Sequence, residues 1–323
     1  MNTKIKGFVI AALIILGILI WIIFKSSGQP SPNYQTGAIE AKYYVDGSWS
    51  VSNIRTTNAC DSSRNRCRIY YPTNLGANGF SHPILTWGNG TIGRPENYTY
   101  LLNHLVSWGF VVVATEDQST GSGQTILDAA NYMITANSNP QSPFFNKLNV
   151  NKIGAAGHSQ GAGGAINAAI KGAGKIKTVF AIGLPSQYWC INASEKCVHT
   201  HLLTQSSIFF VSGSKDILIS PAIQDPLITG LQSIKAYYDA VPVGVAKLKG
   251  ILIGPDHNDV TGQPDCVSAR NPCVTGVYGY LGYPTAWLMD QLQGDAYAHG
   301  AFVNGSGEIF SQTTNWERVE SNL

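Results

Sequence analysis

Charge is what this sequence has least of. Lys, Arg, Asp and Glu make up only 12% of the 323 residues, about half the share of an average globular chain. The net charge is +2, with no basic run and no Lys/Arg stripe, so the electrostatic footprint that nucleic-acid binding requires is missing. No C-x2-C spacing occurs among the cysteines, which speaks against a structural zinc centre. Internal repeats and low-complexity tracts are also absent, which excludes solenoids and compositionally biased arrays. Hydrophobic residues, at 44%, are plentiful enough for the core of one large α/β domain or two small ones. The surface is left to Gly, Asn, Ser, Thr and Tyr, a composition typical of exported proteins.

One long apolar run stands at the start. After Lys4 and Lys6 comes "GFVIAALIILGILIWIIF", uncharged from Gly7 to Phe24 and closed by Lys25. As a helix it would span about 27 Å, close to the hydrocarbon thickness of a bilayer. It is longer than the apolar region of a signal peptide, and no A-x-A site follows. Positive charge is heavier before the run than after it, which keeps the N-terminus inside. Residues 1–25 therefore read as a signal-anchor with the rest of the chain exported; a signal peptide cleaved near "SSG" at 26–28 is the alternative. Residues 26–40, "SSGQPSPNYQTGAIE", read as a flexible tether. Residues 41–323 read as one folded domain, polar and featureless from 299 onward.

The six cysteines support export. They fall as Cys60/Cys67, Cys190/Cys197 and Cys266/Cys273, each pair enclosing six residues of a polar stretch. Six cysteines allow 15 pairings. Three repeats of one local spacing favour three local disulfides, each stabilising by roughly 2–3 kcal/mol, as an oxidising compartment permits.

From about residue 42, short apolar runs alternate with helical patterns. "CRIYYP", "HPILTWG", "FVVVATED", "KIGAAG", "IKTVFAIGL", "SSIFFVSGS" and "AKLKGILIG" read as strands. The continuous apolar character of "FVVVATED" suits a parallel strand covered on both faces. "NYTYLLNHLVSWG", "TILDAANYMITAN" and "GAGGAINAAIKG" have helical spacing, and helical segments near 221–240 and 284–298 complete the series. Such alternation predicts an α/β fold with a mostly parallel central sheet flanked by helices.

In this setting "IGAAGHSQGAGGA", residues 153–165, acquires meaning. A G-x-S-x-G match arises about 0.3 times by chance in a chain with this many glycines, so the motif alone is weak. Here a strand ends directly before it and a helix starts directly after it. That strand–turn–helix context lifts a serine above the sheet as a nucleophile. A serine hydroxyl needs a base, and the partners are expected in the order acid, then His, each just beyond a strand end. Asp216 in "SIFFVSGSKD" and His257 in "LKGILIGPDHND" meet that order. Ser159, His257 and Asp216 are thus the candidate nucleophile, general base and orienting acid. Asp117 is a weaker rival acid. Asp256 and Asp259 adjoin His257 in sequence, are badly placed to orient it, and read as solvated loop residues. His199 and His201 lie in a polar loop and are not expected to bind metal. The expected oxyanion donors are the backbone N–H groups of Gln160 and Asn89, with Gly90 as the alternative to Asn89. His158 is expected to line the cleft.

The blocks "GHSQG", "HPILTWGNGTIGRPENYTYLLNHLVSWGFVVVATED", "VSGSKDILISP" and "GYPTAWLMDQLQGD" together resemble the bacterial cutinase-like and poly(ethylene terephthalate) hydrolase branch of the α/β-hydrolase superfamily, related to dienelactone hydrolases. The similarity runs over about residues 65–295. It implies an exported serine esterase without cofactor or metal, with Ser159, Asp216 and His257 in the triad positions and Asn89 and Gln160 in the oxyanion positions. Polyester hydrolases of this branch commonly carry an aromatic residue at the place of Asn89 and a methionine at that of Gln160. Their substrate-clamping tryptophan aligns near Gln187, beside Tyr188 and Trp189. The site here is thus more polar, with Trp87 and Tyr188 or Trp189 as expected walls. The expectation is a monomeric serine carboxylesterase with an open cleft. A polyester or cutin hydrolase, or a lipase, is the alternative within enzymes, and an inactive surface binding protein the alternative of another class.

Overall fold

Side chains of a strand alternate between faces, so a strand buried on both sides must be apolar throughout. Strand β4 (Val111–Thr115) shows this directly: Val112 and Ala114 enter one apolar layer, Val111 and Val113 the other. The same logic makes continuous runs of β3 (His82–Gly88), β5 (Leu148–His158), β6 (Ile176–Ile182), β7 (Ser207–Gly213) and β8 (Lys247–Leu252). The computed structural model describes residues 34–190 and 192–323. Within it these strands run parallel, in the order β4-β3-β5-β6-β7-β8. Antiparallel strands close both edges: β1 (Val51–Arg55) and β2 (Cys67–Pro72) beside β4, and β9 (Trp316–Ser321) beside β8.

Helices cover both faces of the sheet. One layer holds α1 (Ala38–Tyr44), α2 (Thr99–Ser107), α6 (Gly282–Leu288) and α7 (Ala296–His299). The other holds α3 (Gln124–Ser138), α4 (Gln160–Lys171) and α5 (Ile234–Ala240). The α4 helix lies unusually close to the sheet because its first turns carry almost no side chains. A β-carbon at Gly161 would stand 2.1 Å from the carbonyl oxygen of Gly88.

Three expectations change. Residues 34–40, assigned to the flexible tether, belong to the folded body: Tyr34, Ile39 and Glu40 are buried, and α1 packs on α6. The cause is apolar spacing, since Ile39 and Tyr43 stand one turn apart on one helix face. Second, the polar tail contains β9, whose Trp316 is buried beneath the sheet edge. Third, the helix expected near 221–240 is confined to Ile234–Ala240, because Pro221, Pro226 and Gly230 break the chain before it. The apolar run 7–24 lies outside the described residues. Among the described residues no helix is long and apolar enough to cross a membrane.

Candidate active site

The parallel arrangement brings the C-terminal ends of β5, β7 and β8 to one rim. There β5 ends at His158, and Ser159 turns the chain into α4 at φ 57° and ψ −126°. A positive φ is strained for serine, and it is held by a hydrogen bond from the Ser159 N–H to the carbonyl of Ile182 (2.9 Å). The turn leaves no room at Gly157, where a β-carbon would stand 2.2 Å from the carbonyl oxygen of Gly161.

Asp216 follows β7 and His257 follows β8. The Ser159 hydroxyl donates to His257 Nε2 (2.8 Å), and His257 Nδ1–H donates to Asp216 Oδ2 (2.6 Å). The other oxygen, Asp216 Oδ1, accepts from the N–H of Ser220 (3.1 Å). Asp216 and His257 are 3% and 6% exposed, so the relay is shielded from water except at its serine end. This fixes the imidazole with its proton on Nδ1 and its lone pair toward the hydroxyl.

A second relay runs beside the first. The Gly90 N–H donates to Tyr98 Oη (3.0 Å), the Tyr98 hydroxyl to His158 Nδ1 (3.0 Å), and His158 Nε2–H to the carbonyl of His257 (2.8 Å). Burial holds His158 well below its ordinary pKa; charge on His257 and Arg270 pushes the same way, while the bond to the His257 carbonyl opposes. Burial raises Tyr98 to about 12. His158 is therefore neutral and Tyr98 keeps its proton, the pair of states that this chain of bonds requires. His158 lines the cleft as expected, and it also ties the serine turn to the backbone of the histidine loop.

Ser159 and His257 open into a cavity of about 560 Å³. Two of the disulfide loops frame it: Cys190 and Lys196 come from the first, with Trp189 just before it, and Arg270 and Asn271 from the second. All three expected pairs, Cys60–Cys67, Cys190–Cys197 and Cys266–Cys273, are bonded.

Several expected residues lie elsewhere. Trp87 is fully buried in the core against Tyr98 and touches no part of the cavity; as an inner residue of a doubly covered strand it had no route to the surface. Trp189 lines the cavity, whereas Tyr188 stands outside it, edge-on to Trp189. Asn89 is wholly buried, its side-chain amide donating to the carbonyls of Thr115 and Asp117, and it contributes nothing to the cavity lining. Gly90 does line it, although its N–H is taken by Tyr98. Gln160 and Thr91 line the adjacent wall and bond to one another (3.0 Å).

Asp259 is not solvated but fully buried. It accepts from the N–H groups of Asp256, Val274, Thr275 and Gly276 and from the Thr275 hydroxyl. Burial raises its pKa while these bonds oppose the rise. Asp256 accepts from the His257 N–H, and Asp117 is engaged with Thr125 and Ser119. His199 and His201 are exposed and contact each other edge-on. Asp259 does lie near the sulfurs of Cys266 and Cys273, but those are bonded to each other, which removes both thiolates as metal ligands. Sequence reasoning missed Tyr98, Lys196 and Arg270. The disulfide loops that carry the last two were legible, their inward-facing members were not.

Residues 26–213 match the sequence profile of the PET hydrolase-like family. Over 234 residues the chain is 25% identical to the bis(hydroxyethyl) terephthalate hydrolase of Streptomyces coelicolor, covering 69% of this chain and 68% of that protein. The profile includes the serine turn and ends at Gly213, before Asp216 and His257. With more than half its length matched, the chain belongs to the PET hydrolase-like family and is a hydrolase of ester bonds.

Proposed function

We propose that the protein is a serine carboxylesterase that works through an acyl-enzyme. The observation that carries this reading is the unbroken series of hydrogen bonds from Asp216 through His257 to Ser159 at the floor of a solvent-open cavity. His257 Nε2 takes the hydroxyl proton as Ser159 Oγ bonds to the ester carbonyl carbon. The Asp216 carboxylate stabilises the imidazolium. The oxyanion is received by the Gln160 N–H at the start of α4, where the helix dipole favours negative charge. Of the two expected second donors, Asn89 is buried outside the cavity lining and the Gly90 N–H is bonded to Tyr98 Oη, so the reading rests on the Gln160 donor. On collapse, the C–O bond to the alcohol breaks and His257 returns the proton to the departing oxygen. Water, deprotonated by the same imidazole, then attacks the acyl-enzyme and releases the acid and the free serine.

A second reading concerns substrate size. Tyr188, Trp189 and Leu218 are 70%, 59% and 79% exposed, and Trp189 Nε1 is bonded to the Leu218 carbonyl (3.2 Å). An apolar rim of this kind suits a polyester surface or the small terephthalate diester named for the Streptomyces relative. For localisation, the three disulfides favour a compartment outside the cytoplasm. The run 7–24 would tether the catalytic domain to the membrane there, or would be removed on secretion.

The test is a series of p-nitrophenyl esters of increasing acyl length. Turnover is expected for short chains, with kcat falling by at least about 10³ in Ser159→Ala. Absence of turnover, or turnover unchanged in that variant, rejects the reading and leaves an inactive binding protein. Release of aromatic acid from a polyester film is the result that selects the polymer reading.

A further inference from the structure

The cavity above Ser159 is electrically lopsided. Lys196 and Arg270 line it, and no Asp or Glu does. Asp216 stands behind His257, 3% exposed, and gives no surface to the cavity. Two cations in one cleft are notable in a chain with so few charges. Among the described residues neither pairs with a carboxylate. Lys196 Nζ donates to the Ser119 hydroxyl (2.9 Å) and Arg270 Nη1 to the Thr91 carbonyl (3.2 Å). Both are neutral acceptors that leave the positive charges uncompensated.

The two cations are also held at set places. Thr91, which anchors Arg270, accepts from Gln160 Nε2 (3.0 Å), and Gln160 Oε1 accepts from the Gly121 N–H (3.1 Å). Gly121 in turn packs on the stem of Lys196, where an added β-carbon would stand 3.1 Å from Lys196 Cβ. Arg270, Thr91, Gln160, Gly121 and Lys196 thus form one continuous wall with a cation toward each end. Gln160, in its middle, adjoins Ser159. Each cation comes from a disulfide-closed loop or its edge, Cys190–Cys197 and Cys266–Cys273, which limits how far it can swing away. The field of Arg270 reaches the catalytic floor, where it disfavours the charged form of His158 and favours that of Tyr98.

An uncompensated cation pair beside a nucleophile raises the local concentration of anions and rewards a substrate that supplies the missing negative charge. From this wall we infer that the enzyme prefers esters bearing a free carboxylate remote from the scissile bond, such as half-esters of dicarboxylic acids, with the carboxylate held by Arg270 and Lys196. The inference rests on the reading of Ser159 as nucleophile. It sets the enzyme apart from one that attacks only the uncharged interior of a polymer.

Two matched pairs of probes test it. Methyl 4-carboxybenzoate and methyl 4-carbamoylbenzoate have one shape and differ by a charge on the acyl side; 4-carboxyphenyl acetate and 4-carbamoylphenyl acetate do the same on the alcohol side. In at least one pair the wild-type enzyme is expected to favour the anion in kcat/KM by about tenfold or more, the worth of one charge-assisted hydrogen bond. The ratio should shrink toward one in about 1 M salt, where the screening length is only about 3 Å. It should also fall in Arg270→Gln and Lys196→Gln, with Arg270→Lys retaining more of it than Arg270→Gln. A purely structural role for these residues would lower both members of a pair together and leave the ratio in place. Wild-type ratios at or below one in both pairs overturn the inference, as does a ratio insensitive to salt and to both Gln variants. So does failure to cleave any of the four probes while p-nitrophenyl acetate is turned over. Loss of Ser159-dependent p-nitrophenyl turnover is the separate result that sinks the esterase reading itself.

Discussion

Glu40 gives the sharpest quantitative prediction. It is fully buried on α1, where its Oε1 accepts from Trp316 Nε1–H (2.9 Å) and its Oε2 meets no partner among the described residues. Burial, with the nearby Glu308 carboxylate, pushes its pKa from 4.5 to about 8. The folded protein therefore binds a proton at Glu40 that the unfolded chain has released. A raised folded-state pKa means that this contribution to stability is complete below about pH 4.5 and is lost as the pH climbs to 8. At about 1.4 kcal/mol per unit of pH, integration from pH 5 to 8 gives a loss on the order of 3 kcal/mol. That is a large part of a typical net stability of about 5–15 kcal/mol. Glu40→Gln keeps an acceptor for Trp316 and removes the charge. The assay is thermal unfolding of both proteins from pH 5 to pH 8. At pH 5 their midpoints should agree within a couple of degrees. At pH 8 the Gln variant should unfold higher by about 6 °C, taking about 2 °C per kcal/mol for a domain of this size. Every other titrating group is common to both proteins and cancels in the difference. Midpoint curves that stay parallel over the whole range would refute the burial argument.

Three further perturbations probe the supports of the site. Gly161→Ala forces a β-carbon to 2.1 Å from the Gly88 carbonyl oxygen; backbone must move, so we expect a stability loss of about 3 kcal/mol or more and kcat reduced by about 10²-fold, read by unfolding and p-nitrophenyl ester turnover. Asp259→Asn turns an amide N–H₂ toward backbone donors. Even in its better orientation it strands the N–H groups of Asp256 and Val274 (both 2.9 Å from Oδ2), costing about 2–5 kcal/mol; an unchanged unfolding midpoint would show that those donors find other acceptors. The double change Cys266→Ser with Cys273→Ser should cost about 2–3 kcal/mol and weaken any preference for anionic esters more than turnover of neutral ones, because Arg270 rides on that loop.

The parts legible in the sequence were those governed by local rules. A strand buried on both faces has to be apolar along its whole length, so the inner strands could be read, and "HPILTWG" and "CRIYYP" coincide with β3 and β2 to the residue. A serine wedged between a strand and a helix needs glycines around it, so the turn could be read as well. Asp216 and His257 could be singled out as candidates because each follows a strand of the same parallel set, whose ends must share a rim, and the structure brings both to Ser159. What escaped depends on partners far away in sequence. The α1 helix looks like linker until α6 and β9 cover it: Glu308 caps it, accepting from the Ile39 and Glu40 N–H groups (2.9 Å each), from 268 residues away. The edge strand β9, "WERVES", has neither alternation nor an apolar run, because only Trp316 and Ser321 are buried and Arg318 departs to φ 52°.

The two misjudged site residues show the same divide in opposite directions. Trp87 was taken for a cleft wall because an aromatic stands near the oxyanion turn in sequence, yet the rule that identified its strand already placed its side chain in the core. Asp259 was taken for solvent because carboxylates usually are, yet the loop it serves has amides that no strand or helix satisfies. Four of them, from Asp256, Val274, Thr275 and Gly276, converge on this single side chain. A buried loop must send its N–H groups somewhere. Here a carboxylate two residues after His257 receives them, and that is how one irregular segment can hold both His257 in register with Ser159 and Arg270 over the cavity.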